Sequence, residues 1–122
     1  MVTVAEIMSA ELVTVQPNAT VAEAATVMGE RHVGSALVLD RGRPSGIFTE
    51  RDALRALASD FDAALHPVEH WMTRDPATID ANADVREARD IMLERGFRHL
   101  PVMDGGTLVG IVSLRDLTRA ER

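Results

Sequence analysis

The sequence predicts a mixed α/β (α+β) chain made of two β-α-β-β-α repeats packed around a pseudo-twofold axis. Three observations predict it. First, sliding the 122-residue chain against itself by 64 positions lays residues 3–58 on 67–122 without a gap, and 20 of the 56 pairs are identical. Unrelated chains of average composition would share roughly 3 or 4. Second, helical and strand periodicities follow one another in the same order in both copies. Third, 46% of the residues are apolar and 26% charged, an ordinary globular balance. A unit of about 56 residues is marginal alone, so the halves are expected to pack on each other. The expected boundaries are 2–58 for the first repeat, 59–66 for the connection and 67–122 for the second repeat.

Each element has a local reason. A short leading helix comes first, with Thr3 and Glu6 spaced as a capping box. An extended piece follows, Leu12-Val13-Thr14-Val15 in the first copy and Ala77-Thr78-Ile79 in the second. The next helix has Thr20 and Glu23, or Asp84 and Glu87, at N-cap and N3. Its apolar stripe is Val21, Ala24, Ala25 and Met28, matched by Val85, Ala88, Ile91 and Met92. That helix ends near Arg31-His32 or Arg95-Gly96. Strands Ala36–Leu39 and Leu100–Met103 lead into turns at Asp40-Arg41-Gly42-Arg43 and Asp104-Gly105-Gly106-Thr107. The return strands are Gly46-Ile47-Phe48 and Leu108–Val112, and a last helix runs from Thr49 or Ser113 to about Ala58 or Ala120.

Charge and composition exclude several function classes. Net charge is −6, and all 13 basic residues are Arg, which counts against a protein that binds nucleic acid through phosphates. Phe48, Phe61, Trp71 and Phe97 are scattered, so no platform for stacking successive bases is visible. There is no Cys, which removes disulfides, thiolate metal sites and Cys catalysis. No apolar run approaches the ~18 residues of a membrane span, and Met1–Glu6 lacks the pattern of a secretory signal. A cytoplasmic protein without membrane or direct nucleic-acid contact is the expectation.

The most informative element is the corner where the return strand meets the last helix. It reads Gly46-Ile47-Phe48-Thr49-Glu50-Arg51-Asp52 in the first copy and Gly110-Ile111-Val112-Ser113-Leu114-Arg115-Asp116 in the second. Two readings stay open. In one, the hydroxyl and the acid three residues on are a helix cap and nothing more. That leaves the paired glycines and the paired Arg51 and Arg115 without a reason. In the other, the helix start holds a phosphate, the hydroxyl donates to a ligand oxygen, the Asp accepts from ribose hydroxyls, and the Arg adds a charge-assisted bond.

The whole pattern resembles a stand-alone pair of CBS domains, named for cystathionine β-synthase. The residues that carry the resemblance are Ile7-Met8-Ser9 and Trp71-Met72-Thr73, Val13–Pro17 and Thr78-Ile79, Ile91–Glu94, Phe97–Val102, and the two corners. It covers about residues 2–120. The resemblance implies a module with two clefts between the repeats that bind adenosine-containing ligands: AMP, ADP, ATP, S-adenosylmethionine or NAD. It implies roles for Thr49 and Asp52, and for Ser113 and Asp116, as hydroxyl and ribose-binding acid. Backbone around Val13, Thr14 and Val15, and around Ala77, Thr78 and Ile79, would read the adenine edge. Arg51 and Arg115 flank the acids, Arg98 and His99 would reach phosphate, and Pro101 stands beside them. Gly34 and Ser35 occupy the positions of Arg98 and His99 in the first copy, so the two clefts are expected to differ in charge. Arg98 and His99 are expected to serve the cleft that holds Asp52.

Catalysis finds no support: there is no Walker sequence, no Gly-x-Gly-x-x-Gly and no Ser-His-Asp arrangement. The helix dipole favours ionised carboxylates at Asp52 and Asp116, the wrong form for a general acid. His66 and His70, four apart, superficially suggest a metal site, but Pro67 interrupts the spacing and the first copy lacks both. Met8 and Met72 are expected to line the clefts, and Trp71 and Phe97 to pack. The resulting expectation is a non-enzymatic, adenine-nucleotide-sensing module, without metal. It would form a homodimer through its helices and signal to an effector protein on another polypeptide. The alternative is a structural or interaction module with one or both clefts vestigial.

Overall fold

The computed structural model describes residues 1–120; Glu121 and Arg122, the end of the expected second repeat, lie outside them. The elements are α1 (Val4–Ile7), β1 (Thr14–Val15), α2 (Val21–Arg31), β2 (Ser35–Asp40), β3 (Arg43–Thr49), α3 (Glu50–Ser59), β4 (Thr73–Arg74), β5 (Ile79–Asp80), α4 (Val85–Arg95), β6 (His99–Asp104), β7 (Thr107–Ser113) and α5 (Leu114–Ala120). Single 3₁₀ turns at Ala63–Leu65 and Val68–His70 lie between α3 and β4.

The chain forms two compact units, one from Val13 to Pro76 and one joining Met1–Leu12 to the chain from Ala77 onward. The units are offset from the sequence repeat. The body of each repeat takes its leading segment from the other copy. In the first unit, Val68 N–H donates to Ala19 O at 2.8 Å and Val21 N–H to His66 O at 2.9 Å. In the second, the residues 64 positions away repeat the contacts: Val4 N–H donates to Ala83 O at 2.8 Å and Val85 N–H to Val2 O at 3.1 Å.

The first unit carries a four-stranded sheet in the order β1-β2-β3-β4, the second a three-stranded sheet in the order β5-β6-β7. β1 runs parallel to β2, and β2 and β3 form an antiparallel hairpin. All six residue pairs of that hairpin recur 64 residues on in β6 and β7, and the register shift falls at the same place, between Val38 and Leu39 or Val102 and Met103. The turns are Arg41-Gly42 and Gly105-Gly106, with positive φ at both residues of each, the geometry a two-residue hairpin requires. Alternating strand residues and the helix stripes build one core in each unit. The first centres on Phe48, Val38, Met28 and Val68. The second centres on Leu100, Val102, Met92 and Val4.

The helix starts follow local chemistry. Thr20 accepts from Glu23 N–H at 3.0 Å while the Glu23 carboxylate accepts from Thr20 N–H at 3.4 Å, closing the expected box. The α4 start differs from expectation. Asp84 accepts from Arg86 N–H at 2.8 Å and pairs with the Arg86 guanidinium at 2.8 Å, so Glu87 does not complete a box. The guanidinium bond first, and the backbone bond from Arg86 second, bring the Asp84 carboxyl down to a pKa of about 2 from 3.8. A depressed folded-state pKa stabilises above the unfolded value and loses that contribution as pH falls toward the folded one. Asp84→Ala is therefore expected to lower Tm at neutral pH. The gap from wild type should close between about pH 4 and pH 2; a gap unchanged across that interval contradicts the assignment.

Candidate functional site

Both sheets bring the expected residues to one end. In the first unit, Ser35 pairs with Thr49 and Thr14 pairs with Leu37. The start of β1, the start of β2 and the end of β3 therefore share an edge, from which α3 departs. In the second unit, His99 pairs with Ser113 and Ile79 with Val102, giving the same edge. Thr14, Thr78, Arg51, Arg98 and Arg115 are exposed; Thr49, Ser113, Asp116 and His99 are half-buried; Asp52 is buried, as are Val13, Ile79 and Pro101.

The corners are reciprocal caps. Thr49 Oγ1 accepts from Asp52 N–H at 3.1 Å, and Asp52 Oδ2 accepts from Thr49 N–H at 3.0 Å. Ser113 Oγ accepts from Asp116 N–H at 3.0 Å, and Asp116 Oδ2 accepts from Ser113 N–H at 2.8 Å. Each cap fixes the acid's rotamer and leaves lone pairs for other donors. The first residue of each helix is also held: Glu50 N–H donates to Gly34 O at 3.1 Å, and Leu114 N–H to Arg98 O at 2.9 Å. His99 and Arg98 are thus gathered with Ser113 and Asp116 inside one unit.

The paired glycines have a packing cause. A Cβ on Gly110 would lie 2.6 Å from Met8 Sδ and 2.7 Å from Ser9 O; one on Gly46 would lie 2.9 Å from Thr73 O and collide with Met72 Sδ. Each leading segment crosses its return strand where only hydrogen fits. Met8 and Met72 pack against these glycines and against the two cores.

Three features escaped the sequence reading. First, Arg55 Nη2 donates to Asp52 Oδ1 at 3.2 Å and to Trp71 O at 2.9 Å, and the guanidinium lies 5.5 Å from the Trp71 ring centroid. The identity of Arg55 and Arg119 was the available signal, but Ile7 stands where Trp71 would be in the second unit, so that unit has no ring for the guanidinium to face. Second, Trp71 stacks near His66 and donates Nε1–H to His66 Nδ1 at 3.4 Å, while His66 Nε2 lies 3.2 Å from Asp62. Both imidazole nitrogens of His66 therefore face a partner, Nδ1 the indole N–H and Nε2 the acid. Third, Leu37 N–H donates to Val13 O at 2.8 Å, whereas Pro101 has no N–H to offer Ala77 O at the equivalent place. β5 accordingly begins at Ile79, and Ala77 and Thr78, expected as strand, precede it.

Comparisons with known proteins agree with this architecture. The CBS domain model matches residues 4–59 and again 68–122. The crystal structure of the CBS-domain containing protein ATU1752 from Agrobacterium tumefaciens is similar at a TM-score of 0.90 and 32% identity, over 99% of this chain and 100% of that one. The CBS domain pair of protein MJ0100, in complex with 5′-methylthioadenosine and S-adenosyl-L-methionine, is similar at 0.88 and 27%, over 98% and 95%. CBSX2 in complex with AMP is similar at 0.80 and 26%, over 98% and 95%.

Proposed function

The chain belongs to the CBS-domain family, and from that premise we propose that it is a regulatory module that binds adenine nucleotides at its two strand-to-helix corners and signals to a partner protein. The observation that carries this reading is the twofold occurrence of a capped acid at the end of a return strand, in a unit whose first extended segment leaves Thr14 or Thr78 exposed. Asp52 and Asp116 would accept from the ribose hydroxyls, with Thr49 and Ser113 at the same corner. The backbone of Val13, Thr14 and Val15, or of Ala77, Thr78 and Ile79, would read the adenine edge; Ala77 O, with no N–H from Pro101, suits the adenine amino group. Arg51, Arg115, Arg98 and His99 would face phosphate. Support comes from the structural relatives solved in complex with AMP, and with 5′-methylthioadenosine and S-adenosyl-L-methionine.

The module acts by binding, not by turnover. A ligand changes a partner's response only if it binds one arrangement of the protein better than another. Leu54 and Leu57 on α3, with Phe61 and Leu65 just beyond it, are exposed and offer a surface on which two copies would form a homodimer through helices. Among the described residues no helix is long and apolar enough to cross a membrane; a cytoplasmic location belongs to the proposal.

A ligand panel tests it. AMP, ADP, ATP, NAD and S-adenosylmethionine are added singly while thermal unfolding is followed. A true ligand at 100 times its Kd adds about 2.7 kcal/mol, which for a chain of this size raises Tm by roughly 10 °C. No shift with any of the five at millimolar concentration would favour the structural alternative, for which the Arg55 contact on Asp52 is the specific observation.

A further inference from the structure

We propose that Arg55 carries the state of the Thr49–Asp52 corner to Trp71 and to the connection at residues 59–66: a nucleoside that takes up Oδ1 of Asp52 displaces the guanidinium, and the indole registers the change. The inference rests on the nucleoside-binding reading above and names how occupancy of that corner leaves the site.

The acid divides its two oxygens. Asp52 Oδ2 accepts from Thr49 N–H at 3.0 Å and belongs to the helix cap. Oδ1 accepts from Arg55 Nη2 at 3.2 Å, and the same nitrogen donates to Trp71 O at 2.9 Å. One guanidinium nitrogen therefore joins the corner to the segment ahead of β4. The guanidinium carbon lies 5.5 Å from the Trp71 ring centroid. From the indole N–H the contacts continue to His66, whose Nε2 lies 3.2 Å from Asp62 and 3.8 Å from Asp60. Those two acids flank the exposed Phe61. All of these residues belong to the unit from Val13 to Pro76. The second unit has Ile7 at the place of Trp71 and Val2 at the place of His66, so it holds neither ring there.

Exposure decides which member of the pair moves. The Asp52 side chain is 10% exposed and pinned by its cap, whereas that of Arg55 is 56% exposed. An ion pair so open to solvent is weak, because water competes for the guanidinium. Vicinal ribose hydroxyls donate to a carboxylate, and only Oδ1 lies outside the cap. Hydroxyls and guanidinium thus draw on the same oxygen, and a ligand that wins it frees the guanidinium from the acid. The cation then leaves its place beside the ring, and indole emission follows the charge next to it. Linkage makes the effect reciprocal: a substitution that removes the guanidinium removes a competitor for the acid, so it does not lower affinity by this route.

Trp71 is the only Trp and there is no Tyr, so Trp emission reads this one place. AMP is titrated into the full-length wild type, into Asp116→Ala, which leaves the Asp52 corner to be read alone, and into Asp116→Ala carrying Arg55→Met. Each titration is followed by calorimetry and by Trp emission. Met keeps helix propensity at this exposed position, and circular dichroism verifies the fold. Asp116→Ala is expected to show a saturable emission change with the calorimetric Kd. With Arg55→Met added, AMP should bind equally or up to about fivefold more tightly, while less than about half of the emission change survives. Arg55→Gln, polar and uncharged, should give the same result. AMP binding without an emission change, an emission change that both Arg55 substitutions leave whole, or an affinity that falls more than about threefold with them overturns the coupling alone. So does wild-type binding that a folded Asp116→Ala abolishes. No AMP binding by the wild-type protein overturns the nucleoside reading and the coupling together.

Discussion

Gly110→Ala is expected to destabilise the protein by about 3–5 kcal/mol, close to abolishing the fold of a domain this size. The added methyl would sit 2.7 Å from the Ser9 carbonyl oxygen and 2.6 Å from Met8 Sδ. The Met8 thioether can swing away. The backbone of Ser9 cannot, because Ser9 N–H donates to Ile111 O and Ile111 N–H to Ser9 O, both at 2.9 Å. Relief requires the leading segment to lift. That breaks both hydrogen bonds, each worth about 0.5–1.5 kcal/mol, and loosens Val4, which is fully buried in the same unit's core. Gly29→Ala is the control. Gly29 is exposed in the interior of α2 with nothing within 4 Å of the new methyl. There Ala should stabilise by about 1 kcal/mol. Urea unfolding reads both. A midpoint for Gly110→Ala equal to wild type would show that the leading segment is not held where the structure places it.

How far the sequence reveals this fold depends on how local each cause is. Thr49 with Asp52, and Ser113 with Asp116, announce their caps because three residues suffice to form them. The turns at Arg41-Gly42 and Gly105-Gly106 are equally local. The repeat itself is visible because both halves keep the register of their hairpins, pair for pair. What the repeat conceals is which copy a leading segment packs on. Residues 3–12 and 67–76 are equivalent in sequence, and a self-alignment cannot say that each supports the body of the other copy. For the same reason Gly46 and Gly110 read as unexplained partners of a binding corner, while their cause is a strand crossing supplied by residues far away in the chain. The Arg55–Trp71–His66 contacts and the effect of Pro101 on Ala77 depend on tertiary neighbours, so they escaped the sequence reading. At the corners, the residue types are legible and the charge contrast at positions 34 and 98 is too.

Removing the acids should have the largest effect on binding. Asp52 is 7% exposed, accepts from Thr49 N–H and from Arg55, and closes the α3 cap. Asp52→Ala leaves that N–H without its acceptor and removes one contact of the solvent-exposed Arg55 guanidinium, which keeps its bond to Trp71 O, a loss of about 2 kcal/mol in stability, most of it from the cap. Asp116 is half-buried, and its described bonds are those of the cap with Ser113. Asp116→Ala is expected to cost about half as much, roughly 1 kcal/mol. In binding, each carboxylate would accept charge-assisted bonds from ribose hydroxyls, worth about 1.5–3 kcal/mol apiece. Loss of the acid should therefore weaken nucleotide at its own corner by about 100-fold or more. Both variants retain enough of the fold to be compared with wild type, which circular dichroism at the titration temperature verifies.

The account stands or falls on whether those two carboxylates hold a nucleoside. The direct measurement is a calorimetric titration of AMP into wild-type protein and into the Asp52→Ala/Asp116→Ala double variant. Saturable binding by the wild type, weakened about 100-fold or more in the folded double variant, is the predicted result. Equal affinity in the two proteins would contradict it.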